Sequence, residues 1–237
     1  MHVFLFLIDG MGANYITPQT TPMLSQYLRK QVIINSVPTI TCPNWMSILS
    51  GVPPSKHRVI DNKDAYKKNF NFPFSTIFHD AKASLLISDW KRFKRYIDTD
   101  TMSFVFDAAT GDMNNTVSLW LQHGMPELTV VNLQNLDTIG HKTAWGSKGF
   151  MKELRRLDSN FGRFMEQLHK MSPNEIAVCV TADHGGIGND HEDPEIDEIR
   201  QVPFLTNFAP YPPIKTNTQV RKYIRRLLHL PVHIKKI

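Results

Sequence analysis

Short, nearly unbroken apolar runs punctuate this chain: Val3 to Ile8, Ala83 to Ile87, Ser103 to Phe106, Leu128 to Leu133 and Ile176 to Thr181. Runs of that length without polar alternation read as strands buried on both faces of a sheet. Val202 to Leu205 is a weaker candidate of the same kind. The segments between them carry a different period. From Phe150 to Met171, Leu154, Leu157, Phe161, Phe164 and Leu168 recur at three- and four-residue steps, the stripe of a helix that packs on a core. Pro43 and Gly51 frame a short helix over about 43–50, and Val220 to Leu230 fits an amphipathic helix. Strands alternating with helices predict an α/β fold with a central, mostly parallel sheet and helices on both faces. With 237 residues, 41% of them hydrophobic, the chain reads as a single domain over 1–237 that closes on a basic helix at about 216–230. No internal repeat or low-complexity segment interrupts it.

In such sheets, ligands bind beyond the carboxyl ends of the strands. The polar residues with the most chemistry lie there. Asp9 follows the first apolar run, Asp137 and His141 follow the fourth, and Asp183 and His184 follow the fifth. Gly185 and Gly186 let the chain turn sharply after His184, and His191 stands in the polar loop beyond. Any one of these residues alone reads better as a turn cap or a surface histidine. Five of them at three strand ends favour metal binding, and mixed nitrogen and oxygen donors suit zinc, with manganese or iron less selective fits. Thr41 sits just ahead of the predicted 43–50 helix. The unpaired N–H groups and positive dipole end of a helix N-terminus suit a phosphoryl group, and a metal activates a hydroxyl nucleophile. The segment by itself is equally consistent with Thr41 as a helix cap.

Charge and cysteine content change the picture little. The net charge of +5 favours anionic ligands. From Ile199 onward there is no Asp or Glu, so the C-terminal tail is basic, either a solvated helix face or a weak nucleic-acid contact. Cys42 and Cys179 are too few and too far apart for a disulfide framework, which fits a reducing compartment such as the cytoplasm. The N-terminal apolar run lacks a basic lead and a small-residue cleavage site and is too short to span a bilayer, so neither a signal peptide nor a transmembrane segment is expected.

Four blocks in order, Leu7-Ile8-Asp9-Gly10, Thr41-Cys42-Pro43-Asn44 with Ser50-Gly51, Asp137 through His141, and Thr181-Ala182-Asp183-His184-Gly185-Gly186, resemble the alkaline phosphatase superfamily, and most of all its nucleotide pyrophosphatase/phosphodiesterase branch. His57 through Asn62 and Pro203 add to the likeness, which spans roughly the first 205 residues. The resemblance implies two divalent metal ions, zinc or else manganese. Asp9, Thr41, Asp183 and His184 would surround one, and Asp137, His141 and His191 the other. It implies Thr41 as nucleophile forming a phosphothreonine, and Asn44 as the holder of a non-bridging phosphoryl oxygen, aided by the Cys42 N–H. The chain departs from the pattern where Glu192 follows His191 and where Trp45 stands in a place often held by histidine.

The implied activity is metal-dependent hydrolysis of a small phosphodiester, a nucleotide or dinucleotide, with Tyr66, Phe70, Phe72 and Trp90 as candidate rings for a base. A diester carries one negative charge and needs fewer cations than a monoester dianion, and the nucleophile helix contains no arginine. The rival readings are a phosphomonoesterase or phosphonate hydrolase of the same superfamily, and a nucleic-acid-binding protein with inactive metal sites. A sulfatase is disfavoured, because Cys42 abuts Pro43 and no arginine follows in the place that sulfatases require.

Overall fold

The computed structural model describes residues 1–67, 72–96, 102–106, 113–171, 176–208 and 213–229, with the side chains at 65, 66, 92, 95, 96 and 114 outside the description. Its strands are β1 (His2–Ile8), β2 (Arg29–Ile34), β3 (Ser84–Ser88), β4 (Met102–Phe106), β5 (Leu128–Leu133), β6 (Ile176–Thr181) and β7 (Gln201–Thr206). Its helices are α1 (Pro22–Tyr27), α2 (Thr41–Ser50), α3 (Pro54–His57), α4 (Thr116–Gln122), α5 (Asn135–Thr143), α6 (Lys148–His169), α7 (Asp197–Arg200) and α8 (Val220–Leu228). The strands form one sheet in the order β2-β7-β6-β1-β5-β3-β4. β1 pairs in parallel with both β5 and β6, and β3 pairs in parallel with β4 and β5. β7 runs antiparallel to β6 and β2, so the sheet is mixed and mostly parallel.

The apolar runs fall on strands because β1, β3, β5 and β6 lie inside the sheet and are almost wholly buried. Beside them, β2 was not apparent in the sequence. As an edge strand it buries mainly Ile33 and leaves Arg29, Lys30 and Val32 exposed, so no continuous apolar run marks it. The alternation of a strand sends successive side chains to opposite faces. On one face Phe4 meets Trp120 of α4 and Phe164 of α6, each at 5.3 Å, and Phe6 meets Phe161 and Phe164 at 6.0 and 4.9 Å. The period in α6 is that of this contact, and Ser147 opens the helix by accepting the Phe150 N–H. A second group of helices, α2, α3 and α8, packs together. Here Phe204 of β7 meets Tyr223 of α8 at 5.1 Å, and α8 buries Val220, Tyr223, Ile224 and Leu227. One of its basic residues turns inward: Arg221 pairs with Asp80 at 2.9 Å and donates to the Ser50 and Ser75 carbonyls.

α2 begins at Thr41, two residues before the expected Pro43, with Ile40 in extended conformation as its cap. All of its residues are buried. Its serines bond back to carbonyls one turn earlier, as Ser47 does to Pro43 at 2.8 Å. Among the described residues, no helix is long and apolar enough to cross a membrane.

Phe161 touches both Phe6 and Phe164 and is fully buried. Phe161→Ala is expected to lower unfolding stability by about 3–5 kcal/mol, measured by denaturant titration, with the secondary structure of the folded state retained.

Candidate active site

Topology brings the strand-end residues together. β1 lies between β5 and β6, so Asp9, Asp137 and Asp183 emerge side by side at one sheet edge. Gly10 makes the crowding tolerable. It holds φ at 75°, and a Cβ there would lie 2.9 Å from the Asp137 Cα. Two of these acids have one oxygen tied down. Asp183 Oδ1 accepts the N–H groups of Gly10 and His184 at 3.2 and 3.1 Å. Asp9 Oδ2 accepts Nε2–H of Gln134 at 2.7 Å. The opposite oxygens, Asp183 Oδ2 and Asp9 Oδ1, are buried without a hydrogen-bond partner among the described residues, and so is Asp137 Oδ1.

Three imidazoles face the same space. Nδ1 of His184 meets the Gly185 carbonyl at 2.9 Å, Nδ1 of His191 the Thr39 carbonyl at 2.9 Å, and Nδ1 of His141 the Asn189 carbonyl at 2.9 Å. A carbonyl only accepts, so each ring carries its proton on Nδ1 and presents an Nε2 lone pair. His184 Nε2 lies 3.3 Å from Asp9 Oδ1, 3.3 Å from Asp183 Oδ2 and 4.0 Å from Asp137 Oδ1. His191 and His141 place theirs 4.0 and 3.5 Å from Asp137 Oδ1. The His184 and His191 rings stack at 3.7 Å. Two sets of atoms have metal-binding spacing, Asp9 with Asp183 and His184, and Asp137 with His184 and His191. His184 belongs to both sets, and His141 borders the second. Nitrogen lone pairs and carboxylate oxygens that converge with almost no donor among them fit divalent cations.

Thr41 supplies a hydroxyl here. It is buried at the start of α2, with Oγ1 at 3.4 Å from His184 Nε2. Asn44, expected to hold a phosphoryl oxygen, has its amide engaged within the protein. Its amide is fully buried, Nδ2 donates to the Pro38 and Ile40 carbonyls at 2.9 and 3.3 Å, and Oδ1 accepts from Asn217 at 2.7 Å. Both ends are occupied within the protein. The Cys42 N–H is likewise engaged, by Asn62 Oδ1 at 2.9 Å, which brings Asn62 rather than Asn44 to the exposed side of the helix start. Asn62 Nδ2 has no hydrogen-bond partner among the described residues.

Of the candidate rings for a base, Phe70 lies outside the described residues, as does the side chain of Tyr66. Phe72 packs on His57 and Phe74 at 5.7 and 5.8 Å, and Trp90 stacks on the buried Phe93 at 6.0 Å. Both are half-buried and serve packing in this arrangement. Trp145 carried no signal in the sequence. Its indole N–H donates to the Gly10 carbonyl at 2.8 Å, and its ring stands edge-on to His141 at 5.1 Å. A Cβ on Gly186 would lie 2.3 Å from that ring, so the glycine makes room for it.

Burial raises Asp9 to about 7. Burial, then the charge of Asp9, raises Asp137 to about 6. Burial and both neighbouring acids raise Asp183 well above the ordinary value. Burial lowers His184 and His191. Without cations, three acids in one dry space oppose each other's ionisation. At about pH 8 the metal-free protein must hold the Asp9 charge buried, whereas below the unfolded value of 3.8 the carboxyl group is protonated in both states. Stability from this group is therefore present at low pH and lost as pH rises through about 7. Asp9→Asn is expected to raise the Tm of chelator-treated protein at about pH 8, with the gain vanishing as pH falls towards 4. Thermal melts across that range check it.

The family model for type I phosphodiesterase / nucleotide pyrophosphatase matches residues 3–77 and 67–203. Among curated relatives, ectonucleotide pyrophosphatase/phosphodiesterase family member 3 of Rattus norvegicus is 26% identical over 248 residues, covering 90% of this chain and 28% of the relative. The bis(5'-adenosyl)-triphosphatase ENPP4 of Homo sapiens is 25% identical over 213 residues, covering 77% of this chain and 47% of the relative. The chain thus spans less than half the length of either. A solved structure of murine ectonucleotide pyrophosphatase/phosphodiesterase 5, an inactive variant in complex with AMP, superposes with a TM-score of 0.78 at 13% identity, covering 98% of this chain and 96% of that one.

Proposed function

The chain belongs to the type I phosphodiesterase / nucleotide pyrophosphatase family, within the alkaline phosphatase superfamily, and on that premise we propose that it is a metal-dependent hydrolase of nucleotide phosphodiesters acting as one catalytic unit. One observation carries this reading. Three Nε2 lone pairs and three unpartnered carboxylate oxygens converge beside the hydroxyl of Thr41 at a helix N-terminus. Asp9, Asp183, His184 and Thr41 would hold one zinc ion, and Asp137, His141 and His191 a second, with manganese the alternative. The bound metals would supply Lewis acidity, lowering the hydroxyl pKa and offsetting the charge of the phosphoryl group.

Thr41 Oγ1 attacks phosphorus, the bond to the leaving oxygen breaks, and water later hydrolyses the phosphothreonine. The N-terminus of α2 points its dipole at the phosphoryl group, and Asn62 Nδ2 is the side-chain donor placed to meet a non-bridging oxygen. The preference for a diester rests on charge. α2 contains no arginine or lysine, so the helix itself offers a monoester dianion no bidentate cation. The named activity of the human triphosphatase relative and the AMP held by the murine neighbour support a nucleotide, or a dinucleotide, as substrate.

Thr41→Ala is expected to lower kcat on the order of a thousandfold or more while the fold is retained, and Thr41→Ser to keep part of the activity. Chelation should abolish turnover and zinc restore it. The ratio of kcat/KM for an aryl diester against the matching aryl monoester, at one metal concentration and pH, decides the substrate class. A ratio favouring the monoester replaces this reading with a phosphomonoesterase that keeps the same nucleophile.

A further inference from the structure

Thr41 opens α2 and His191 sits in a loop distant from it in sequence, and neither belongs to the sheet. The connection from β2 to α2 carries Thr39 two residues ahead of the hydroxyl nucleophile, and Thr39 is fully buried. It makes a reciprocal pair with His191. Its Oγ1–H donates to the His191 carbonyl at 2.7 Å, and its own carbonyl accepts the His191 Nδ1–H at 2.9 Å. The two bonds hold the backbone and the ring of His191 at once, so they set both where the imidazole stands and which nitrogen it presents. The Thr39 side of the pair is itself gripped. Asn44 donates to the carbonyls of Pro38 and Ile40, on either side of Thr39, and Asn217 donates to Asn44 while accepting from Ser36 at 2.9 Å.

We propose that Thr39 is a positioning residue that locks the His191 loop to the nucleophile loop, so that the second metal position and the Thr41 hydroxyl are held in one rigid frame. Resting on the two-metal reading above, this assigns Thr39 a role towards the metal without direct contact, and it gives the buried Asn44 amide a purpose: it stiffens the loop against which His191 is registered. A buried hydroxyl that donates to the His191 carbonyl serves that registration directly, and residues that orient ligands in this way typically govern metal affinity.

The test is a zinc titration of the metal-free full chain in competition with a chromogenic chelator, on wild type, Thr39→Val and Thr39→Ser. Valine keeps the shape and removes the hydroxyl, and serine keeps the hydroxyl. Wild type is expected to bind two equivalents. Thr39→Val should weaken one of the two sites by roughly ten- to a hundredfold and leave the other unchanged, and Thr39→Ser should restore it. A general structural role would lower the Tm without splitting the two sites. Two sites of wild-type affinity in Thr39→Val overturn the proposal and leave the two-metal reading standing. A wild type that binds fewer than two equivalents overturns both. If Thr39→Val does not fold, Thr39→Ala against Thr39→Ser gives the same contrast, and equal zinc affinities in those two overturn the proposal.

Discussion

The structure turns on a convergence of lone pairs. Asp9 Oδ1, Asp137 Oδ1 and Asp183 Oδ2 are buried and, among the described residues, without a hydrogen-bond partner, and three histidines direct Nε2 at the same space because their Nδ1 protons are given to backbone carbonyls. Burying unpaired polar atoms is destabilising, and burying several of like sign more so. The surrounding protein is arranged to hold that arrangement. Gly10 lets Asp137 approach β1, Gln134 fixes the rotation of the Asp9 carboxylate, and Trp145 walls the histidines while its indole N–H secures the Gly10 carbonyl. Each is a group that the cluster needs in order to keep its acceptors aimed inward.

The sheet supplies the rigidity. β1 sits in its middle with parallel neighbours on both sides, and its aromatic side chains are packed between α4 and α6. A core filled to this degree resists displacement, so the acids at the strand ends are fixed relative to one another before any ligand arrives. The proposed nucleophile comes from outside the sheet. α2 is buried along its whole length and begins at Thr41, which places the hydroxyl and the positive end of the helix together. Stability and chemistry pull in opposite directions at this edge, as they do wherever a charged site is preorganised in a dry environment.

Much of this was legible in the sequence. The apolar runs gave the interior strands, the three- and four-residue period gave α6, and the positions of Asp9, Asp137, His141, Asp183 and His184 just after strands placed them at one edge. The edge strand β2 escaped because exposure on one face breaks its apolar pattern. The surroundings of Asn44 and Asn62 were not legible in the motifs. Asn44 lies on the turn of α2 that faces the Pro38 and Ile40 carbonyls, whereas the chain folds back after α2 to set Asn62 on the Cys42 N–H. The sequence by itself determined which residues sit at strand and helix ends, since local periodicity encodes burial and boundaries. Only the tertiary structure decided which of those ends meet. The Thr39 bond to His191 joins residues 152 apart and the Gly10 bond to Asp183 residues 173 apart, and contacts at such separations follow from strand order and loop path, which no local pattern records.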